Sequence, residues 1–412
     1  RRLVALPGWN LSNVGVLPSV PVYDGRYSSG FMFDWDKTYE FIQSNPALTT
    51  ASVNESASNS IEDDYATDEY IYAAYAMGSI DINKLTLLAG ARWEKTDATI
   101  HSVEQRFISG APPITIPASG TPSYDKFFPN VQAVYRFTGR LLLRGAITQT
   151  IGRPAYEDTR PLSFFRFEQS LSGFNFDPTY PFTGLLNIGN PQLRPFQATN
   201  FDLSLEWYAK GNGLLSLALF RKDIKDPIYG FSEVLYNVIH NGIGMERLAV
   251  TTTSNAADAK INGLELNIYQ PFTILPSPFD GFGIDMNLTF TSSEVTIPVR
   301  PGEKFSFFRQ PSKIANVTLF YEKYNFSGRV AWSYADEQIN AVGADVLGDS
   351  YLRPREQYDL QVKYRINSNY SITASVRNLT REPVQYSRGI RSLLQYSQLL
   401  DRDYKIGISL NY

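Results

Sequence analysis

The sequence predicts an all-β chain, a transmembrane antiparallel up-and-down β-barrel, and three observations carry that expectation. Thirteen segments alternate apolar and polar residues with a period of two. The connections between them alternate short and long. No apolar run approaches the roughly 18 residues of a helix that spans a bilayer, mean hydropathy is −0.23, and yet aromatic residues make up 14% of the chain. A polar inner face and an apolar, aromatic-rich outer face reconcile those last two values.

The segments lie near 69–77, 85–95, 129–137, 141–150, 200–208, 214–222, 259–269, 282–292, 313–321, 326–335, 357–364, 370–378 and 403–412. In NFDLSLEWY, Phe201, Leu203, Leu205 and Trp207 oppose Asp202, Ser204 and Glu206. FGIDMNLTF sets Phe282, Ile284, Met286, Leu288 and Phe290 against Asp285, Asn287 and Thr289. The final segment, RDYKIGISLNY, keeps the pattern to its last residue: Tyr404, Ile406, Ile408, Leu410 and Tyr412 alternate with Lys405, Gly407, Ser409 and Asn411. Chain ends of soluble proteins usually fray into polar residues. Eight steps at roughly 3.3 Å span about 26 Å, and a tilt of about 40° reduces the rise to about 20 Å, close to the apolar band of an outer-membrane barrel. A tyrosine at each end fits two interfacial girdles. Taken alone, this strand would fit the edge of a soluble sandwich equally well.

The connections decide between them. GSIDINK, TGR, AKGNG, PFTILPSPFDG, EKYN and RINSN are the shorter links, and they alternate with long ones such as 96–128, 151–199 and 223–258. A sandwich has no reason to keep every second connection short, whereas an outer-membrane barrel has periplasmic turns and extracellular loops. The expected location is the outer membrane of a Gram-negative bacterium, with membrane lipid as the first partner. Residues 1–68 are expected to be an extracellular loop region, and 69–412 to be barrel, with Tyr412 in the periplasm. A closed bacterial barrel with both ends in the periplasm needs an even strand number. Thirteen strands beginning from an external loop therefore predict part of a barrel, with a longer parent chain supplying the rest.

Composition narrows the chemistry. There are no cysteines and two histidines, His101 and His240, so neither thiolate metal sites nor a His-containing triad is expected. A formal net charge of −3 gives no reason to expect nucleic acid as a partner. No enzyme activity, catalytic residue, cofactor or metal is expected, although composition leaves two-carboxylate chemistry open. Asp34 and Asp36, and Glu62, Asp63 and Asp64, lack a twelve-residue calcium loop and read as solvated loop acids. GIGMER at 242–247 lacks the third glycine and the βαβ context of a dinucleotide fingerprint. RRLVALPGWN has neither initiator Met nor apolar signal core, which a mature N-terminus or a fragment would both explain.

Several stretches in order resemble one family, the TonB-dependent outer-membrane receptors, from about 60 to 412. They are EDDYATDEYIYAAYAMGSIDINKLTLLAGARWEKT, FFPNVQAVYRFTGRLLLRGAITQTIGRPAYEDTRPL, GNPQLRPFQATNFDLSLEWY, KINGLELNIYQP, VRNLTREPVQY and the terminal aromatic. The flavour is similar to the subfamily associated with carbohydrate uptake. The resemblance implies a barrel of about 22 strands around an N-terminal plug, importing a scarce small ligand, carbohydrate or siderophore-like, with energy from the TonB complex. About nine strands, the plug and a TonB box have no counterpart here, so about 13 of an expected 22 strands are present. The resemblance also implies that the last strand, through Tyr404, Ile406, Ile408, Leu410 and Tyr412, closes the barrel and signals to the barrel assembly machinery.

Two sets of residues are candidates for ligand chemistry. Arg92, Glu94, Arg136, Arg144, Asp202, Glu206, Glu265, Asp285, Arg329, Lys363 and Arg377 fall on polar faces and form either a ligand path or pairs with one another and the plug. The loop 153–199 carries Phe164, Phe165, Phe167, Phe174, Phe176, Tyr180 and Phe182 with Arg160, Arg166 and Glu168. Aromatic faces stack on sugar rings, and guanidinium groups bind hydroxyls and carboxylates. From this loop the expected ligand contacts are Arg160, Phe164, Phe165, Arg166, Phe167, Phe174, Phe176 and Tyr180; the alternative is a small core among extracellular loops. Arg153-Pro154 and Arg160-Pro161, with Gly189, Pro191 and Pro195, read as backbone-shaping chemistry. Two other functions fit parts of the pattern: a passive porin, and a secreted β-rich carbohydrate-binding or carbohydrate-active protein.

Overall fold

The computed structural model describes residues 64–108, 114–161, 163–169 and 179–410, with 32–45 and a few two-residue strands before residue 51. The chain divides into two compact units, 1–64 with 105–116 and 65–104 with 117–412. In the first unit a helix, α1 (Trp35–Ser44), starts at Asp34, whose Oδ1 accepts the backbone N–H groups of Asp36 and Lys37 at 3.1 Å. Asp34 is thus a helix N-cap rather than a loop acid, and Asp36 sits in the first turn where the helix dipole favours a carboxylate. Among the other acids read as loop residues, Glu62 and Asp63 lie outside the described residues.

The second unit is built on thirteen long strands, one for each alternating segment of the sequence, and the second of these continues into residues 105–108. They are β1 (Ala66–Ile82), β2 (Leu85–Ile108), β3 (Ser123–Thr138), β4 (Leu141–Gly152), β5 (Phe196–Ala209), β6 (Gly213–Lys225) and β7 (Ala259–Pro271). Then follow β8 (Phe282–Val295), β9 (Lys313–Lys323), β10 (Phe326–Ala335), β11 (Arg355–Arg365), β12 (Tyr370–Arg377) and β13 (Asp403–Leu410). Each pairs antiparallel with the next, in an unbroken series of registers from β1 to β13. The final residues Asn411 and Tyr412 lie outside the described residues.

Register converts single-strand alternation into two continuous faces. Leu143, Leu205, Leu217, Leu266 and Leu288 are cross-strand partners in succession and make one apolar row. Ile147 (53%), Leu203 (47%) and Leu217 (43%) remain exposed on that face. So much exposed, contiguous apolar surface is tolerable only against lipid. Exposed aromatic residues stand on the same face toward both strand ends: Trp93, Phe127 and Phe201 toward the long loops, and Tyr135, Trp207 and Tyr364 toward the short turns. The opposite face runs Arg144, Ser204, Ala218, Glu265, Thr289 and is polar. On it, phenylalanines lie over cross-strand glycines: Phe196 over Gly152, Phe220 over Gly263 and Phe320 over Gly283.

Three of the short connections, those after β1, β5 and β9, turn through residues in the left-handed region. Asn83 (φ 52°), Gly211 (78°), Asn212 (64°), Tyr324 (53°) and Asn325 (63°) all occupy it. The long connections carry secondary structure of their own, which alternation did not reveal. Ser163–Gln169 pairs with Phe182–Ile188, which runs parallel to Ile243–Asn255, itself paired with Ile228–His240. A separate four-stranded sheet joins Gln338–Ala341, Ser350–Leu352, Val384–Arg388 and Ile390–Gln398. The main buried core of this unit lies where strand ends meet these loops: Ala198, Ile224, Tyr229, Ala259, Ile261, Val295, Ile297, Phe305, Ile339 and Val342. The long-loop end is therefore packed, and the membrane-level wall is one strand thick.

Candidate functional site

The polar face of the wall positions charge by alternation, and the structure pairs much of it. Arg92 Nε donates to Glu94 Oε1 at 2.6 Å, while Arg153, from the loop after β4, donates to Glu94 Oε2 at 2.6 Å. One carboxylate thereby holds two guanidiniums. Arg144 Nε donates to Glu206 Oε1 at 2.7 Å, and the Tyr208 hydroxyl donates to the other oxygen at 2.9 Å. Arg136 donates to the Thr86 hydroxyl at 2.7 Å, which in turn donates to Asp81. Arg329 donates to Glu322 at 2.7 Å. Arg377 stands opposite Asp403 in the register of β12 and β13. Asp202, Glu265 and Asp285 lie on the same face of β5, β7 and β8.

The aromatic loop folds differently from a row of presented rings. Phe164 (8%), Phe165 (0%) and Phe167 (6%) are buried. The Phe165 ring centroid lies 4.8 Å from Phe167 and 4.8 Å, edge-on, from His240, and Phe167 meets Phe182 at 5.3 Å. Met245 and Leu248, from the neighbouring hairpin, complete this small core. Phe165 and Phe167 therefore face each other and Phe164 is buried on the other side of the strand, so all three build the loop rather than face solvent. The physical reason is that such a strand, apolar on both sides, lowers its free energy by packing against the adjoining hairpin. Arg166 is exposed beside them, Tyr180 is half-buried, and the Arg160 guanidinium lies 5.8 Å from the centroid of the Tyr65 ring. Phe174 and Phe176 lie outside the described residues.

A second set of loops is locked by a buried charge that sequence reading did not single out. Arg300 Nη1 donates to Asp349 Oδ1 at 2.6 Å, with side chains 6% and 2% exposed. Arg300 Nε donates to Glu303 at 3.0 Å, and the guanidinium stacks 4.7 Å from the centroid of Phe305. Asp349 also accepts the Gly343 N–H at 3.0 Å, and its carbonyl accepts that of Gly389 at 2.7 Å. The cluster joins the loops after β8, β10 and β12. Hydrogen bonding to Glu303 first, then to Asp349, holds the Arg300 guanidinium pKa above its ordinary range; the same contact holds the Glu303 carboxyl below its ordinary value.

Tested for a metal, the described residues contain no group of three or more His, Cys, Asp or Glu side chains able to hold one. No described helix is long and apolar enough to cross a membrane. The arrangement is an ion-paired polar wall, backed by a lipid-facing apolar surface and topped by ordered loops. That combination defines an outer-membrane β-barrel protein whose polar face can pass or hold a solute.

Comparison with known proteins agrees. The family model for the TonB dependent receptor-like β-barrel matches residues 7–379, and the chain belongs to that family. An iron-regulated outer membrane virulence protein of Vibrio cholerae is 25% identical over 238 residues, covering 54% of this chain and 32% of that protein. Among solved structures, the ferric-catecholate import receptor of Escherichia coli K12 superposes with a TM-score of 0.55 at 14% identity, covering 84% of this chain and 45% of its own. The siderophore receptor PirA of Acinetobacter baumannii gives 0.50 at 13% identity, over 84% and 55%. These structural likenesses show the fold. The chain spans about a third of the curated relative it matches and about half of the solved receptors. Family and fold together place the protein in the outer membrane of a Gram-negative bacterium.

Proposed function

We propose that this chain is the C-terminal barrel portion of an outer-membrane receptor that imports a scarce small ligand, siderophore-like or carbohydrate, with energy delivered through TonB. The observation that carries the reading is the family match over residues 7–379, laid on a wall whose one face is continuously apolar and the other ion-paired. The TonB complex, an N-terminal plug and the remaining strands belong to the parent receptor in this reading. The protein has no catalytic step: ligand binds at the long loops and the adjoining wall, then passes when the plug rearranges.

Within that reading, Arg160, Arg166 and Tyr180, with Phe174 and Phe176, contact the ligand, while Phe164, Phe165 and Phe167 hold the loop that presents them. Tyr404, Ile406, Ile408, Leu410 and Tyr412 form the closing strand and its assembly signal.

The test is uptake. Cells expressing the whole receptor as their sole route for a candidate ligand, a ferric siderophore or a labelled oligosaccharide, are compared with and without TonB. Accumulation that disappears without TonB is the expected result. Equal accumulation in both strains would mean a passive pore and overturn the proposal.

A further inference from the structure

On the polar face near the long-loop end, the turn Arg153–Thr159 does not pack flush against β1, β2 and β3. It leaves a cavity of about 220 Å³, room for roughly seven waters at about 30 Å³ each, or for one six-membered ring with its hydroxyls. Its polar lining comes from Thr67, Glu69, Thr96, Tyr124, Arg153 and Tyr156.

Two hydroxyls there are left without a partner. Thr96 is 1% exposed, and neither its Oγ1 nor that of Thr67 makes a hydrogen bond among the described residues. Buried hydroxyls are ordinarily satisfied, and an orphan is explained by water or ligand that supplies the missing partner. The neighbouring groups are held in place. The Tyr156 hydroxyl donates to Glu69 Oε2 at 2.8 Å, and Arg153 is held by Glu94 at 2.6 Å. Pro122, Pro154, Ile100 and Leu193 supply apolar lining.

We infer that this cavity is a binding subsite for an uncharged, hydroxylated ring, a sugar-like polyol group. The charges around it do not favour an anion: Glu69 shares the site with Arg153, which Glu94 already holds together with Arg92, so the group is balanced and leaves no unpaired guanidinium for an anionic ligand. Hydrogen-bond capacity selects for donors: a carboxylate accepts only, and each threonine hydroxyl accepts as well as donates. A polyol offers donors to Glu69 and acceptors to the threonines, and its carbon edges fit the proline and leucine surface. The inference rests on the receptor reading and narrows it to a chemical class at one place on the wall.

The experiment uses the whole receptor extracted in detergent, with D-glucose as the probe and D-glucuronate as an anionic ring of similar size, both followed by ligand-observed NMR titration. Saturable D-glucose binding is expected, with D-glucuronate about tenfold weaker, and with Thr96→Val weakening glucose by about tenfold. Should Thr96→Val fail to assemble, Glu69→Gln, which keeps shape and removes charge, is expected to narrow the gap between the two sugars. Absence of saturable glucose binding, glucuronate binding as tightly as glucose, or full binding by Thr96→Val would each overturn the inference. TonB-dependent uptake of another ligand could persist through any of those results, so failure here and failure of the transport reading are told apart.

Discussion

Arg300 illustrates what a single side chain can hold together at the long-loop end. Its guanidinium and the Asp349 carboxylate are both withdrawn from water, so each is the buried counter-charge of the other. Removing one partner strands the other: Arg300→Ala is expected to cost about 3–5 kcal/mol of local stability. Hydrogen exchange would report it as faster exchange in 338–352 and 384–398, with the lipid-level strands unchanged. The double replacement Arg300→Met, Asp349→Leu should recover most of that loss, since paired removal leaves no buried charge. The Glu303 contact gives a pH signature. Its carboxyl is held below its ordinary value, so the stability it contributes is fully present above pH 4.5 and is lost as pH falls through the lowered pKa. Exchange protection around 297–305 should therefore be flat from pH 7 to 5 and fall below pH 4; loss already at pH 6 would contradict this assignment. Sequence could not show the cluster. Arg300 and Asp349 are 49 residues apart, and neither VRPGEK nor LGDSYL follows a recognisable spacing.

At the scale of the strand, alternation was a sufficient signal wherever one face meets lipid and the other meets polar surface. All thirteen wall strands occupy segments legible by that rule, because water and lipid impose opposite demands on successive residues. The loop strands escaped it for a physical reason. Ser163–Gln169 buries Phe164 and Phe165, which point to opposite sides, because packed structure covers both faces. The same lack of contrast made its phenylalanines look like presented rings. Face assignment makes a testable contrast within β6. Leu217→Arg places a charge in the middle of the apolar row, between Leu205 and Leu266, and is expected to cost about 2–4 kcal/mol. Ala218→Arg, one residue on, points to the polar face beside Glu265 and should cost far less. Urea titration of folded receptor in lipid measures both, and equal losses would mean the faces are misassigned. Gly263 supplies a third case: a Cβ there would lie 2.1 Å from the Phe220 ring, so Gly263→Ala forces that ring aside, at about 1–3 kcal/mol of overpacking.

For the whole molecule, parity carries the argument. Twelve antiparallel steps separate β1 from β13, so the two strands run in the same direction. Each is exposed on both faces, β13 throughout and β1 from Tyr70 to Ile82, with Ile406 84% exposed. In the receptor proposed above, β13 takes its second antiparallel neighbour from strands beyond these thirteen, and an odd number of them gives the even total of bacterial barrels. Extended apolar edges are hazards that closure removes. Assembly should then depend on the β13 edge more than transport does. In the whole receptor, Ile406→Pro removes a backbone donor from β13 and is expected to reduce folded receptor in the outer membrane several-fold. Import per folded molecule should change little. Heat-modifiability on gels gives the folded fraction, and ligand uptake normalised to it gives transport; unchanged folded levels would show that β13 takes no further partner.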